Sequence, residues 1–158
     1  MSYKVFISYS TKDLLIVNHV RRLLTSASIE VYVADYSLPP GAAIGQEIIQ
    51  AIRSCDLFIL LWSHNSRASD WVQQEIGIAT DAEKIIIPVV LQPRLELPAF
   101  ISNRKYLVAY QNPEGALPWL RAHIIERAEK QRKINNVVAL GLGAAFIWML
   151  TQDRKDDD

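Results

Sequence analysis

Only one cysteine, Cys55, stands among 158 residues, so an internal disulfide framework and a cysteine-built zinc site are both excluded. It lies just before an apolar run and reads as a packing residue, which suits a reducing compartment. The three histidines, His19, His64 and His123, are scattered and give no metal-ligand spacing, so no metal is expected. His19 and His123 fall in helical stretches and read as surface residues. There is no GxGxxG or GxxxxGKS/T loop, which removes support for ordinary dinucleotide and P-loop binding, and there is no GxSxG elbow. Neither sign of charge is in excess: 17 basic and 17 acidic residues give a formal net charge of zero. Nucleic acid and other polyanions are therefore not expected partners. Repeats, low-complexity linkers and a signal-peptide layout at MSYKVFIS are lacking too.

What is abundant is apolar surface. Half of the residues are hydrophobic, a high share for one domain of this length. Apolar, β-rich runs occur at 4–9 (KVFISY), 29–33 (IEVYV), 56–62 (DLFILLW) and 85–91 (IIIPVVL), with a short one at 106–109 (YLVA). Pro88 weakens the fourth, because proline cannot donate to a ladder. Helical spacing runs over 11–27, through Leu14, Leu15, Val17, Val20, Leu23 and Leu24, and over 44–54, 70–80 and 113–133. Two prolines and a glycine make 35–43 (DYSLPPGAA) a loop. Strands alternate with helices and the central strands are continuously apolar. The pattern predicts an α/β fold, a doubly wound parallel sheet covered on both faces. Ligands of such sheets lie outside the carboxyl ends of the strands. Residues 8–10, the loop 35–41 and the segment 63–75 would share that rim.

The carboxyl-terminal part differs. Residues 134–152 carry no charge, and 137–150 (VVALGLGAAFIWML) is apolar all round. Such a helix has to be buried in protein or in lipid. Nineteen uncharged residues approach the ~20 that span a bilayer. Lys130, Arg132 and Lys133 precede them, as expected for a cytoplasmic amino-terminal side. Ala139 with Gly143, and Gly141 with Ala145, are small-residue pairs that let helices approach closely. The expected organisation is a domain at 1–133, a transmembrane or assembly helix at 134–152 and a polar tail at 153–158. A single membrane pass with the domain in the cytoplasm is expected. Asn135 and Asn136 shorten the strongly apolar part to 14 residues and keep burial in a homo-oligomer open.

The segment 63–75 (SHNSRASDWVQQE) follows a buried-looking strand and opens a helix. Trp71 and Glu75, four apart, share a helical face. A carboxylate beside a flat aromatic at a strand exit suits a planar, cationic substrate. KVFISYSTKD, DYSLPPGAAIGQEI, DLFILLWS and SRASDWVQQEIGIA, in this order, resemble a bacterial TIR (Toll/interleukin-1 receptor) domain over about residues 3–130. The resemblance implies a flavodoxin-like three-layer fold with five parallel strands. It also implies one of two activities: assembly through TIR–TIR contacts, or cleavage of the nicotinamide–ribose bond of NAD, as substrate rather than cofactor, often in anti-phage defence. By position, Glu75 matches the catalytic glutamate and Trp71 the aromatic one turn before it. Phe6, Ser8, Tyr9, Ser10 and Asp13 match the first family box. Leu38, Pro39, Pro40 and Gly41 match the loop that contacts partners and closes over the substrate. Val72 stands where many relatives have cysteine, at a position that should face the core.

The expected substrate-binding set is Phe6, Ser8, Tyr9, Ser10, Asp35, Leu38, Ser63 and Trp71, with Pro39, Pro40 and Gly41 as the assembly loop. One carboxylate suffices for this chemistry. Glycosidases ordinarily need a second to protonate a poor leaving group, whereas nicotinamide leaves a cationic pyridinium as a neutral molecule. Ser10 and Asp13 also stand in capping-box spacing, which reads as a helix start. The expectation is an NAD glycohydrolase or ADP-ribosyl cyclase activated by self-assembly. Two alternatives stand beside it: a non-catalytic scaffold, and a membrane-disrupting effector with a TIR sensor.

Overall fold

The computed structural model describes residues 2–26, 28–34 and 45–152, with side chains described as far as residue 144. The strands are β1 (Tyr3–Ser8), β2 (Ile29–Val33), β3 (Leu57–Trp62), β4 (Ile86–Val90) and β5 (Leu107–Val108); α-helices separate all but β4 and β5, which one turn of 3-10 helix at Ala99–Ile101 connects. The α-helices are α1 (Leu14–Leu24), α2 (Gln46–Ser54), α3 (His64–Arg67), α4 (Asp70–Asp81) and α5 (Pro113–Gln152). All strand pairs are parallel, in the order β2-β1-β3-β4-β5. The expected five-stranded α/β fold is the observed one.

Strand periodicity sorts the side chains into two layers. Val5, Ile7, Leu57, Ile59 and Leu61 join a core with α1 and α5. Their neighbours Phe6, Phe58, Leu60 and Trp62 join a second core with α2 and α4. Every residue of β3 is buried, which explains its unbroken apolar run. Pro88 is accommodated because β5 pairs only with Val89 and Val90. At Pro88 the ladder is flanked by β3 alone, so the missing donor costs no second bond.

Three sequence expectations need revision. One turn of 3-10 helix at Thr11–Asp13 precedes α1, and α1 buries Val17, Val20 and Leu24 while Leu14 and Leu15 face solvent. The turn α3 carries no apolar periodicity and is built instead by a reciprocal cap. Ser63 Oγ accepts from the Ser66 backbone N–H, and Ser66 Oγ accepts from that of Ser63. The third concerns the membrane. Among the described residues no helix is long and apolar enough to cross one. The expected single membrane pass through 134–152, with its membrane partner and localisation, is therefore withdrawn. The physical reason is length: behind Asn135 and Asn136 the apolar stretch 137–150 rises only about 21 Å, against a ~30 Å hydrocarbon core. Residues 134–152 instead continue α5 without a break.

Cys55 caps the end of α2 and is buried, as expected of a packing residue. Burial pushes its thiol from 9.0 up to about 11, opposed by the Lys84 ammonium, whose Nζ donates to the Cys55 carbonyl at 2.9 Å. A raised folded-state pKa contributes stability in full below pH 9 and loses it as pH rises towards 11. The urea midpoint of the native chain should fall across that window, and the fall should be shallower for Cys55→Ala. A thiol reagent at pH 8 should modify the folded chain far more slowly than the urea-unfolded one.

Candidate active site

Two local rules bring Ser8 and Glu75 together. In β1 the even positions face α2 and α4, so the alternation that buries Phe6 also turns Ser8 to that layer. In α4 the buried positions are Val72, Glu75, Ile76 and Ala79, the spacing of a helix face packed on a sheet. Glu75 thus holds a position the pattern reserves for an apolar side chain, and it is 0% exposed. Ser8, also fully buried, donates its hydroxyl to Glu75 Oε2 at 2.5 Å. Burying a carboxylate without such partners is costly, so this pairing is built rather than incidental. Ser69 starts the helix by accepting from the Val72 backbone N–H. Val72 faces the core, as expected. Trp71, one turn before Glu75, is half-buried against the same cluster.

Aromatic rings line the adjoining sheet surface. Phe6 stacks between Tyr32 and Phe58, with ring centroids 5.4 Å apart on each side. Tyr32 is 36% exposed at the rim. Burial, then the carboxylates of Glu47 and Glu75, raise its phenol above the ordinary 10.0. Sequence reasoning missed Tyr32, although strand alternation places it beside Phe6 in register.

A second polar cluster sits where β1 and β3 diverge. Asp13 Oδ2 accepts from Ser63 Oγ at 2.5 Å, and Asp13 Oδ1 accepts from Asn65 Nδ2 at 2.8 Å. The Asp13 side chain therefore forms no helix cap. Ser10 does cap, accepting from the Lys12 backbone N–H. The Ser63 hydroxyl donates to Asp13 and accepts from Ser66. Tyr9 points to the other layer, and its hydroxyl donates to the Ala34 carbonyl at 2.8 Å, tying the exits of β1 and β2 together. His64 is exposed at the rim, its backbone N–H bonded to Gln92 Oε1. Asp35, Leu38, Pro39, Pro40 and Gly41 lie outside the described residues. Of the expected set, Phe6, Ser8, Trp71 and Glu75 share one layer. Ser10 and Ser63 belong to the adjacent turns, and Tyr9 belongs to the opposite core.

A mixed-order parallel sheet with a buried carboxylate at its carboxyl rim defines a class of flavodoxin-like α/β domains with a candidate ligand site. The TIR domain family matches residues 5–120, and the chain belongs to it. Among solved structures it is similar to the TIR domain of the Toll-related receptor TRR-2 of Hydra magnipapillata. The identity is 22% over 81% of this chain and 99% of that one, with a TM-score of 0.64. It is also similar to the CMP N-glycosidase BcmB of Clostridium botulinum, 23% identical over 76% of this chain and 98% of that one, with a TM-score of 0.55.

Ser8→Ala removes one hydrogen bond from a buried carboxylate. It should destabilise the fold by about 1–3 kcal/mol in urea unfolding. Ser8→Thr keeps the hydroxyl, but its added methyl in this packed layer should leave it between the two.

Proposed function

We propose that the chain is an NAD-cleaving TIR enzyme with Glu75 as its catalytic carboxylate, activated by self-assembly. The observation that carries this reading is the fully buried Glu75, bonded to Ser8 on the carboxyl rim one turn from Trp71. A helix glutamate kept for solubility would face water, whereas this one occupies a core position at the rim where such sheets bind ligands. The fold shared with a CMP N-glycosidase is compatible with chemistry at an N-glycosidic carbon.

In this mechanism the C1′–N bond of the nicotinamide riboside breaks and its electron pair passes to the pyridinium nitrogen. Nicotinamide departs neutral and takes no proton. The positive charge left on the ribose is stabilised by Glu75, an effect of about 3–4 kcal/mol for a well-placed group in a water-poor site. Trp71 and Tyr32 offer flat surfaces to the ring and the sugar. An acceptor then adds to C1′ and loses a proton to solvent: water gives ADP-ribose, and the adenine of the same molecule gives a cyclic product.

Glu75 is closed to solvent in the single chain, so the reaction requires the rim to open. TIR–TIR contacts through Pro39, Pro40 and Gly41 of the loop 35–43 are the proposed trigger, and 134–152 is the proposed assembly helix. Ile134, Val137, Val138, Leu140 and Leu142 on that helix are all more than half exposed. An exposed apolar surface of this kind is covered when copies associate. Among the described residues the last buried side chain of α5 is Ala128, so a chain cut after residue 133 keeps the described core.

Glu75→Gln should abolish nicotinamide release while leaving the fold and oligomeric state unchanged, as read by mass spectrometry of NAD digests and by light scattering. Retained cleavage by the variant would sink the assignment. Truncation after residue 133 should shift the chain towards monomer and reduce cleavage by at least about tenfold, following the loss of local concentration.

A further inference from the structure

A second concave site lies at the opposite end of the sheet, where β4 and β5 begin. Its walls are Ile85, Ile86 and Ile87, the segment Arg104, Lys105, Tyr106 and Leu107, and the α5 residues Trp119, His123 and Arg127. The cavity holds about 370 Å³, at the small end of ligand pockets. Trp119, His123 and Arg127 fall at i, i+4 and i+8, so one helix face supplies all three. The Trp119 and His123 rings stack at 4.9 Å with 9° between planes. Arg127 Nε donates to His123 Nε2 at 2.9 Å, which fixes the guanidinium beside the rings.

Three cations, Arg104, Lys105 and Arg127, line this cavity, and no carboxylate does. Among the described residues none of the three is ion-paired. In a chain of zero net charge this is a local concentration of positive charge, in which Arg127 is held by His123 and no carboxylate balances the three. Tyr106 is 56% exposed and Trp119 52%. Two large aromatics are thus open to solvent beside cations that no carboxylate pairs. Cations match phosphate oxygens, and exposed indole and phenol rings match the face of a base.

We propose that this cavity, formed by Arg104, Lys105, Tyr106, Trp119 and Arg127, binds a mononucleotide. The phosphates lie against Arg104, Lys105 and Arg127, and the base lies on the open aromatic surface of Trp119 and Tyr106. The volume fits one nucleotide better than two. The site is remote from Glu75 and does not depend on NAD cleavage there. Its position between the sheet edge and α5 makes it a place where a bound nucleotide would alter the packing of the helix that continues into 134–152.

The test is calorimetric titration of the full chain with ADP, in the Glu75→Gln background so that catalysis contributes nothing. Saturable binding is expected. Arg104→Gln with Lys105→Gln should weaken it at least about tenfold, because two charge-assisted contacts are lost. Trp119→Ala should weaken it as well, and pyrophosphate and adenosine should each bind more weakly than ADP. Circular dichroism checks that the variants fold. ADP binding unchanged in the double variant would overturn the proposal. So would pyrophosphate binding as tightly as ADP, or absence of ADP binding through the millimolar range.

Discussion

The site depends on one hydrogen bond, from Ser8 to a carboxylate with no access to water. A buried anion is tolerated only where its lone pairs are met. The Ser8 hydroxyl meets one of them and fixes the end of β1 against the second turn of α4. The contact spans 67 residues of sequence, so it exists only where the sheet brings β1 and α4 together. Stability and site geometry are therefore the same problem at this position.

The order β2-β1-β3-β4-β5 supplies the rest of the constraint. The chain reverses direction across the sheet between β1 and β3, and the loops leaving their carboxyl ends part there. The Asp13 carboxylate bridges that parting by holding Ser63 and Asn65 together, while Ser8 and Glu75 hold the layer beneath. Tyr9, reaching Ala34, anchors the exit of β2 from the other side. The hydroxyl and amide donors of Ser8, Tyr9, Ser63 and Asn65 are each partnered, which fixes these side chains in place.

Much of this was legible in the sequence. Continuous apolar strands fixed the parallel sheet, because both faces of β3 are covered. The four-residue step from Trp71 to Glu75 placed both on one helical face. Asp13 was misread because capping spacing is a local signal, and the Ser63 hydroxyl, 50 residues away, competes for the same carboxylate. Leu14 and Leu15 open α1 ahead of its buried positions Val17, Val20 and Leu24, and Leu15 falls off that face, so apolar identity alone overcounts the core. Tyr32 carried no motif, and only strand register reveals it beside Phe6. The uncharged stretch 134–152 looked long enough for a bilayer when counted in residues, yet its strongly apolar part is too short when measured in ångströms.

In the proposed function a closed carboxylate and the exposed apolar side chains of 134–142 are linked by coupling activity to association. The most direct measurement is the specific rate of nicotinamide release from NAD as the concentration of the full chain is raised through its association range. The account predicts that the rate per chain rises with the oligomer fraction and then levels. Fully assembled protein that leaves NAD intact would contradict it.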